Sequence, residues 1–321
     1  MPSFDRNTTG KEVVAAFAST LEGKTILITG PSSNSIGAEI ALSLAHASPS
    51  TIVLLGRTES KILPIIQEIK SINPSIATSH IHLDLASQTS IRKCAGDINA
   101  KVDKIDVLIN CAGVMAVPGY ETTEEGIELQ FGCNHVGHFL LTNLLMGKIV
   151  RAGKGARVVN VSSNGYQLAG VRFEDYNFED GKVYEPWAAY AQSKTANILF
   201  STALAQKLKS KGIQSYSLQP GFVLESNLSN HVTPEMFTTA LEIANKNSNG
   251  KKIEMEAPKT LQQGCSTVLV AALDPSIEGY SGGFLQDCVM KPIEKEHAKG
   301  QENIDKLWAL SEKLVGQKFD L

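Results

Sequence analysis

The sequence predicts a doubly wound α/β fold, with one parallel sheet of about seven strands covered by helices on both faces, in a single domain spanning residues 1–321. Three observations carry this expectation. Short apolar runs bounded by turn residues alternate with longer stretches of helical period. The runs are apolar almost throughout, not at every second position, as strands buried on both faces must be. Small and polar residues gather just after the runs, along the carboxyl edge of such a sheet, where open α/β sheets bind ligands.

Taken in order, residues 1–22 form an N-terminal extension, in which Lys11 to Thr20 reads as a short helix packed against the sheet, with Thr8 and Thr9 as candidate caps. Candidate strands are 25–29 (TILIT), 51–55 (TIVLL), 81–83 (IHL), 105–110 (IDVLIN), 157–161 (RVVNV) and 215–218 (SYSL). Helical segments are expected from about 123 to 149 and from about 186 to 211. Two regions break the alternation, 164–186 and 222–258, and long excursions in compact domains usually bind or cover something. The second mixes Phe222, Val223, Leu224, Leu228, Met236, Phe237 and Leu241 with a polar run around 245–252, the pattern of a substrate lid over an apolar pocket.

With 42% apolar and 20% charged residues the chain can bury a sizeable core. A net charge of −3 offers no long-range attraction to nucleic acid or to an anionic membrane, so a small-molecule substrate is the better expectation. No stretch approaches 18 uninterrupted apolar residues, and no basic start precedes a long apolar run, so we expect a cytoplasmic protein without a membrane span. The cysteines Cys94, Cys111, Cys133, Cys265 and Cys288 form no C-x-x-C pair and read as reduced thiols; no metal is expected.

The first strand ends in TGPSSNSIG, residues 29–37, and a helix begins near Ile36. Such a turn lets backbone N–H groups and a helix N-terminus face a pyrophosphate. Gly30 supplies the tight turn, Gly37 a close helix contact, and Ser32, Ser33 and Ser35 further donors. Gly56-Arg57 follows the second strand, where a carboxylate on a ribose 2′-hydroxyl would indicate NAD; Arg57 offers a 2′-phosphate a guanidinium instead, which points to NADP(H). Asp84-Leu85 follows the third strand, Asn110-Cys111-Ala112-Gly113 the fourth and Pro220-Gly221 the sixth, with Val223 just beyond.

Tyr190 and Lys194 lie four apart in YAQSK, on one face of the expected helix. Lowering a tyrosine pKa by about three units takes about 4 kcal/mol, roughly what an ammonium about 4 Å away supplies at an effective dielectric near 20. Ser162-Ser163 closes the fifth strand, in position to hydrogen-bond a substrate carbonyl. Asn134, a lone polar residue in a helical segment, reads equally well as a site residue or a structural hydrogen bonder.

These motifs, in this order, resemble the short-chain dehydrogenase/reductase family, most closely its retinol dehydrogenase and WW-domain oxidoreductase branch as found in fungi. The residues that carry the resemblance are Thr29-Gly30 with Ile36-Gly37, Asp84, Asn110 to Gly113, Asn134, Ser163, Tyr190 with Lys194, and Pro220-Gly221, over about 24–288. It implies a Rossmann-like sheet, an NADP(H) site that also draws on Tyr190, Lys194 and Val223, and hydride transfer between NADP(H) and a carbonyl or alcohol. It selects Ser163 over Ser162, makes Tyr190 the general acid/base and Lys194 its pKa-lowering partner, and has Asn134 position a water beside Lys194. It also implies a homodimer pairing through the helices that carry Asn134 and Tyr190. The chain departs from the family pattern in a glycine-rich turn one residue longer than TGxxxGxG, with Ser35 at the middle glycine, and in Glu225 and Ser226 where a threonine often follows Pro-Gly. A lyase, isomerase or cyclase using the same tyrosine, and a silent dinucleotide sensor, are the rival readings; retention of both Tyr190 and Lys194 speaks against the sensor.

Overall fold

The structure is a computed structural model that describes residues 3–246 and 256–321. The strands are β1 (Thr25–Thr29), β2 (Thr51–Gly56), β3 (Ala77–His82), β4 (Val107–Asn110), β5 (Arg157–Val161), β6 (Gln214–Gln219), β7 (Phe284–Gln286) and β8 (Val289–Lys291). They form one sheet in the order β3-β2-β1-β4-β5-β6-β7-β8. The first seven run parallel; β8 returns antiparallel to β7 through Asp287 and Cys288, both at positive φ. This hairpin, too short to leave a periodic signal, accounts for the strand beyond the expected seven.

The helices are α1 (Gly10–Ala16), α2 (Ile36–Leu44), α3 (Glu59–Ile72), α4 (Gln88–Lys101), α5 (Leu129–Phe131), α6 (Gly137–Leu144), α7 (Met146–Ala152), α8 (Pro186–Lys207), α9 (Pro234–Lys246), α10 (Leu261–Leu273) and α11 (Gln301–Val315). Adjacent side chains of a strand point to opposite faces, so Ile26 and Ile28 of β1 join the core under α2, α3 and α10, while Leu27 joins the one under α4, α6, α8 and α11. β2 divides in the same way, Ile52 and Leu54 against Val53 and Leu55. Burial on both faces is the physical reason these strands are continuously apolar. Among the described residues, no helix is long and apolar enough to cross a membrane.

Several boundaries differ from the sequence expectation. The third strand is Ala77–His82, not 81–83, because it is an edge strand whose Thr78, Ser79 and His80 are only partly covered and need not be apolar. The N-terminal helix is shorter than expected, starts from a Thr9 capping box with Glu12, and packs on α10 and α2 instead of the sheet, burying Val13 and Val14. The expected helix from 123 to 149 is broken. A bridge pairs Thr122 with Glu128, and a π-helical turn, Gly132–Val136, separates α5 from α6. The helix from Pro186 stops at Lys207 and a 3-10 turn, Lys209–Lys211, finishes the segment. Of the excursion at 222–258, residues 222–246 contain a 3-10 turn, Asn227–Ser229, and α9; residues 247–255, including much of the polar run, lie outside the described residues.

The C-terminal helix bears on the expected dimer. α11 packs on α8 and on the π-turn: Trp308 meets Phe139 at 5.0 Å and Phe200 at 6.2 Å between ring centroids, and Ser311 bonds His135 at 2.8 Å. One face of these helices is therefore covered by the chain's own C-terminal helix.

Candidate active site

A cleft of about 670 Å³ opens along the carboxyl edge of the sheet, across the switch point between β1 and β4. Its first wall is the turn after β1. Gly30 sits at φ +72°, where a Cβ would stand 2.8 Å from the Ala112 Cα; a Cβ on Gly37 would stand 2.6 Å from the Gly30 carbonyl oxygen. The bare backbone lets α2 start hard against β1, and its N-terminal residues Ser35, Ile36 and Gly37 line the cleft. This cradle fits a pyrophosphate facing a helix N-terminus.

Ser32 lines the cleft as expected, but Ser33 and Ser35 serve the turn itself. The Ser33 backbone N–H and hydroxyl both donate to the Lys61 carbonyl, and Ser33 is not part of the lining. The Ser35 hydroxyl donates to the Gly30 carbonyl and accepts from the Ala38 N–H, making it the N-cap of α2. Gly56, Arg57, Asp84, Leu85, Ala112, Gly113, Pro220, Gly221 and Val223 all line the cleft, and Lys61 joins Arg57 at its β2 end. Asn110 does not. It is buried in the sheet, where its Nδ2 donates to Thr142 Oγ1 and Asn160 Oδ1. Of the two candidates after Pro220-Gly221, Ser226 lines the cleft, whereas the Glu225 carboxylate accepts from the Leu261 N–H.

Tyr190 and Lys194 lie on α8, and both line the cleft with Ser162 and Ser163. The serines divide their tasks. The Ser162 hydroxyl donates to the Lys194 carbonyl at 2.7 Å, tying β5 to α8, while the Ser163 hydroxyl accepts from the Gly165 N–H and interacts with the Tyr190 hydroxyl. Burial pushes the Tyr190 pKa up to about 12 against the lowering effect of Ser163, and pulls that of Lys194 down to about 8. Lys194 Nζ lies 5.5 Å from the Tyr190 ring centroid and donates to the Val161 carbonyl at 3.1 Å.

Asn134 is fully buried in the π-turn and faces no cleft. Its Oδ1 accepts from the Val114 N–H, and its Nδ2 donates to the Val114 carbonyl and to Ser193 Oγ. With both Nδ2 hydrogens and one lone pair of Oδ1 engaged, Asn134 clamps the loop after β4 onto α8.

The sequence reading assigned no role to two residues that complete this support. Thr29 Oγ1 accepts from the Cys111 and Ala112 N–H groups at 2.9 Å each and lies 2.9 Å from His138 Nε2. His138 Nδ1 faces the Asn134 carbonyl at 3.0 Å. A carbonyl only accepts, so the proton is on Nδ1, and Nε2 accepts from the Thr29 hydroxyl. Burial holds the His138 pKa down at about 4, which keeps the ring in this neutral form. Thr29 is visible in the sequence as a motif residue; His138, four residues after Asn134, is not, and only the fold joins it to Thr29.

The opposite wall is apolar. Phe237, Ala240, Leu241 and Ala244 form one face of α9 over the cleft. Phe237 packs on Trp187 and Phe222, and Trp187 Nε1 donates to the Met236 carbonyl. Trp187 in turn meets the Tyr190 ring edge-on at 6.1 Å.

The difference between the serines gives a direct test. Ser163→Ala should lower kcat/KM by roughly 10²–10³, as removal of one oxyanion donor does. Ser162→Ala should act mainly on stability, costing about 0.5–1.5 kcal/mol because it removes the hydrogen bond that ties β5 to α8. Kinetics and urea unfolding of both variants check this; the reverse pattern exchanges the roles.

The family model described as short chain dehydrogenase matches residues 24–177. Human retinol dehydrogenase 13 is 35% identical over 301 residues, covering 92% of this chain and 86% of that protein. Oxidoreductase fscI of Fusarium equiseti is 34% identical over 243 residues, 68% of this chain and 94% of its own. Among solved structures, an uncharacterised protein of Mycobacterium paratuberculosis superposes with a TM-score of 0.69 at 30% identity, covering 95% of this chain and 98% of that one. A parallel sheet with its cleft at the β1/β4 switch point, a Ser-Tyr-Lys group on β5 and α8, and relatives at this identity over nearly the whole chain together place the protein in the short-chain dehydrogenase/reductase family, the NAD(P)(H)-using oxidoreductases of alcohol and carbonyl groups.

Proposed function

We propose that the protein is an NADP(H)-dependent carbonyl reductase or alcohol dehydrogenase for a small, largely apolar substrate, working in the cytoplasm. The observation that carries this reading is the juxtaposition of Ser163, Tyr190 and Lys194 with an apolar wall on one side and Arg57 at the β2 end on the other, all in one cleft. Bound there, the dinucleotide supplies the hydride and, in its oxidised form, a positive charge. The other steps belong to the chain. Ser163 donates to the substrate oxygen and stabilises the developing alkoxide; Tyr190 gives that oxygen its proton, or takes it in the oxidation direction. Lys194, held by the Val161 carbonyl, keeps a positive charge near the phenol and favours its ionised form. The helix α9 acts as the lid, excluding water with Phe237 and Leu241. Retinol dehydrogenase relatives are consistent with an extended apolar alcohol or aldehyde as the substrate class. Consumption of NADPH at 340 nm with medium-chain and aromatic aldehydes tests the reading, and no turnover with any of them would overturn it.

The NADP(H) preference rests on Arg57, with Lys61 beside it and no carboxylate at Gly56. A charge-assisted contact to the 2′-phosphate contributes about 1.5–3 kcal/mol, roughly 10- to 150-fold in affinity. Arg57→Ala should weaken NADPH by about that factor and leave NADH within about twofold. Gly56→Asp should go further by adding repulsion; a Cβ there comes close only to the tip of Ile62, at 2.8 Å. Titration of both cofactors by tryptophan fluorescence decides it, and equal weakening of NADPH and NADH would remove Arg57 from the role.

A further inference from the structure

The cleft holds a polar corner that the chemistry above does not use. Glu256 lines the cleft, and its carboxylate is held by amides from three elements. Asn164 Nδ2, one residue after Ser163, donates to Oε1 at 2.6 Å, and Gln286 Nε2 at the end of β7 donates at 3.2 Å. Gln219 Nε2 at the end of β6 reaches Oε1 at 3.5 Å and Oε2 at 3.4 Å. All three partners are neutral. The neighbouring cation in sequence, Lys259, is committed to Asp287 at 2.6 Å.

Two acceptors in this corner are under-used. Among the described residues, Oε2 has only the long contact from Gln219, and the Asn164 Oδ1 is buried without a hydrogen-bond partner. Leaving a buried acceptor unpaired costs free energy that a donor arriving with a ligand recovers. The rest of the covering wall, Phe237, Ala240, Leu241 and Ala244, carries no side-chain donor for it.

We propose that Glu256, with Asn164, is the specificity-determining anchor for a hydrogen-bond-donating group on the substrate, a hydroxyl or a protonated amine set apart from the reacting carbonyl. The inference rests on the carbonyl-reductase reading and narrows it: the substrate is apolar along its body and carries one donor at the end beside β5, β6 and β7. A carboxylate accepts from either donor; a charged donor gains more, because it meets the Glu256 charge, whose partners among the described residues are neutral amides.

The test is a ratio of kcat/KM for matched aldehydes, which is unaffected by the fraction of folded enzyme. With NADPH, 3- and 4-(hydroxymethyl)benzaldehyde and the corresponding dimethylaminomethyl compounds are compared with 3- and 4-ethylbenzaldehyde. The wild type should favour at least one donor-bearing isomer by about tenfold or more, mainly through KM, the size of a hydrogen bond to a charged group. Glu256→Leu should bring that ratio close to one. Glu256→Gln, which preserves shape, should lose preference for the amine while keeping part of that for the hydroxyl. Reduction of all the aldehydes with the same ratios in wild type and both variants would overturn the proposal and leave Glu256 a structural latch. Failure of the wild type to reduce any of them would overturn the carbonyl-reductase reading and this proposal with it.

Discussion

Tyr190→Phe is expected to lower turnover by at least about a hundredfold while leaving the fold and dinucleotide affinity close to wild type. The ring keeps its place: its packing comes from the edge of Trp187, the Lys194 ammonium beyond its face and the apolar floor at Ala116, none of which involves the hydroxyl. What disappears is the hydroxyl that Ser163 contacts in the cleft. General acid–base groups contribute about 10²–10⁴ in rate, so the remaining activity measures what cofactor binding and Ser163 provide without a proton donor. The expectation is checked by single-turnover and steady-state rates at 340 nm alongside far-UV circular dichroism. Activity above about a tenth of wild type would show that another group donates the proton. Lys194 and Ser163 are the other proton-bearing side chains at this ring, so Lys194→Met and Ser163→Ala in the same background identify the substitute.

Removal of residues 300–321 should cost the protein its cooperative fold. α11 buries Ile304, Leu307, Trp308, Leu310 and Val315 against α6 and α8, and its loss would bare Phe139 and Phe200. Each large apolar side chain contributes about 1.5–3 kcal/mol when buried, so five of them are comparable to a typical domain stability of about 5–15 kcal/mol. Because the truncated chain need not fold, the single substitution Trp308→Ala provides the graded measurement. It should cost about 3–5 kcal/mol, since the indole also loses its bond to Glu312 and the Lys207 ammonium 4.4 Å from its ring centroid. Urea unfolding reads the cost, and size-exclusion chromatography reads the state of association. A truncated protein that stays folded and becomes a dimer would show that α11 merely stands in for a partner subunit; an unchanged unfolding midpoint in Trp308→Ala would show that it contributes little to the core.

The strands and the chemistry-bearing residues could be read before any coordinates because they depend on local rules. A strand buried on both faces must be apolar along its length, so β1, β2, β4, β5 and β6 were visible within a residue or two. The four-residue spacing of Tyr190 and Lys194 places them on one helix face wherever that helix lies. The same locality explains the errors. β3 is half-covered and therefore polar, α8 is buried nearly all round and shows no single apolar stripe, and the π-turn that interrupts the expected helix at 123–149 has no composition of its own.

What a side chain does once in place was decided by partners distant in sequence. Ser33, Ser35 and Asn110 are the residue types that bind phosphates and riboses, yet each spends its hydrogen bonds on the Lys61 carbonyl, the start of α2 or the interior of the sheet. Asn134 is tied to Val114 and Ser193, and the Lys194 ammonium is anchored by the Val161 carbonyl of the neighbouring strand. The corner at Glu256 unites residues from 164, 219, 256 and 286, and the covering of α8 unites its face with a helix a hundred residues later. The sequence alone thus determined the sheet, its ligand-binding edge and the Ser163-Tyr190-Lys194 group, because periodicity and short spacing act within one element. Tertiary structure alone decided which donors remain free for a ligand, because each buried polar group must be satisfied by whatever the fold brings beside it.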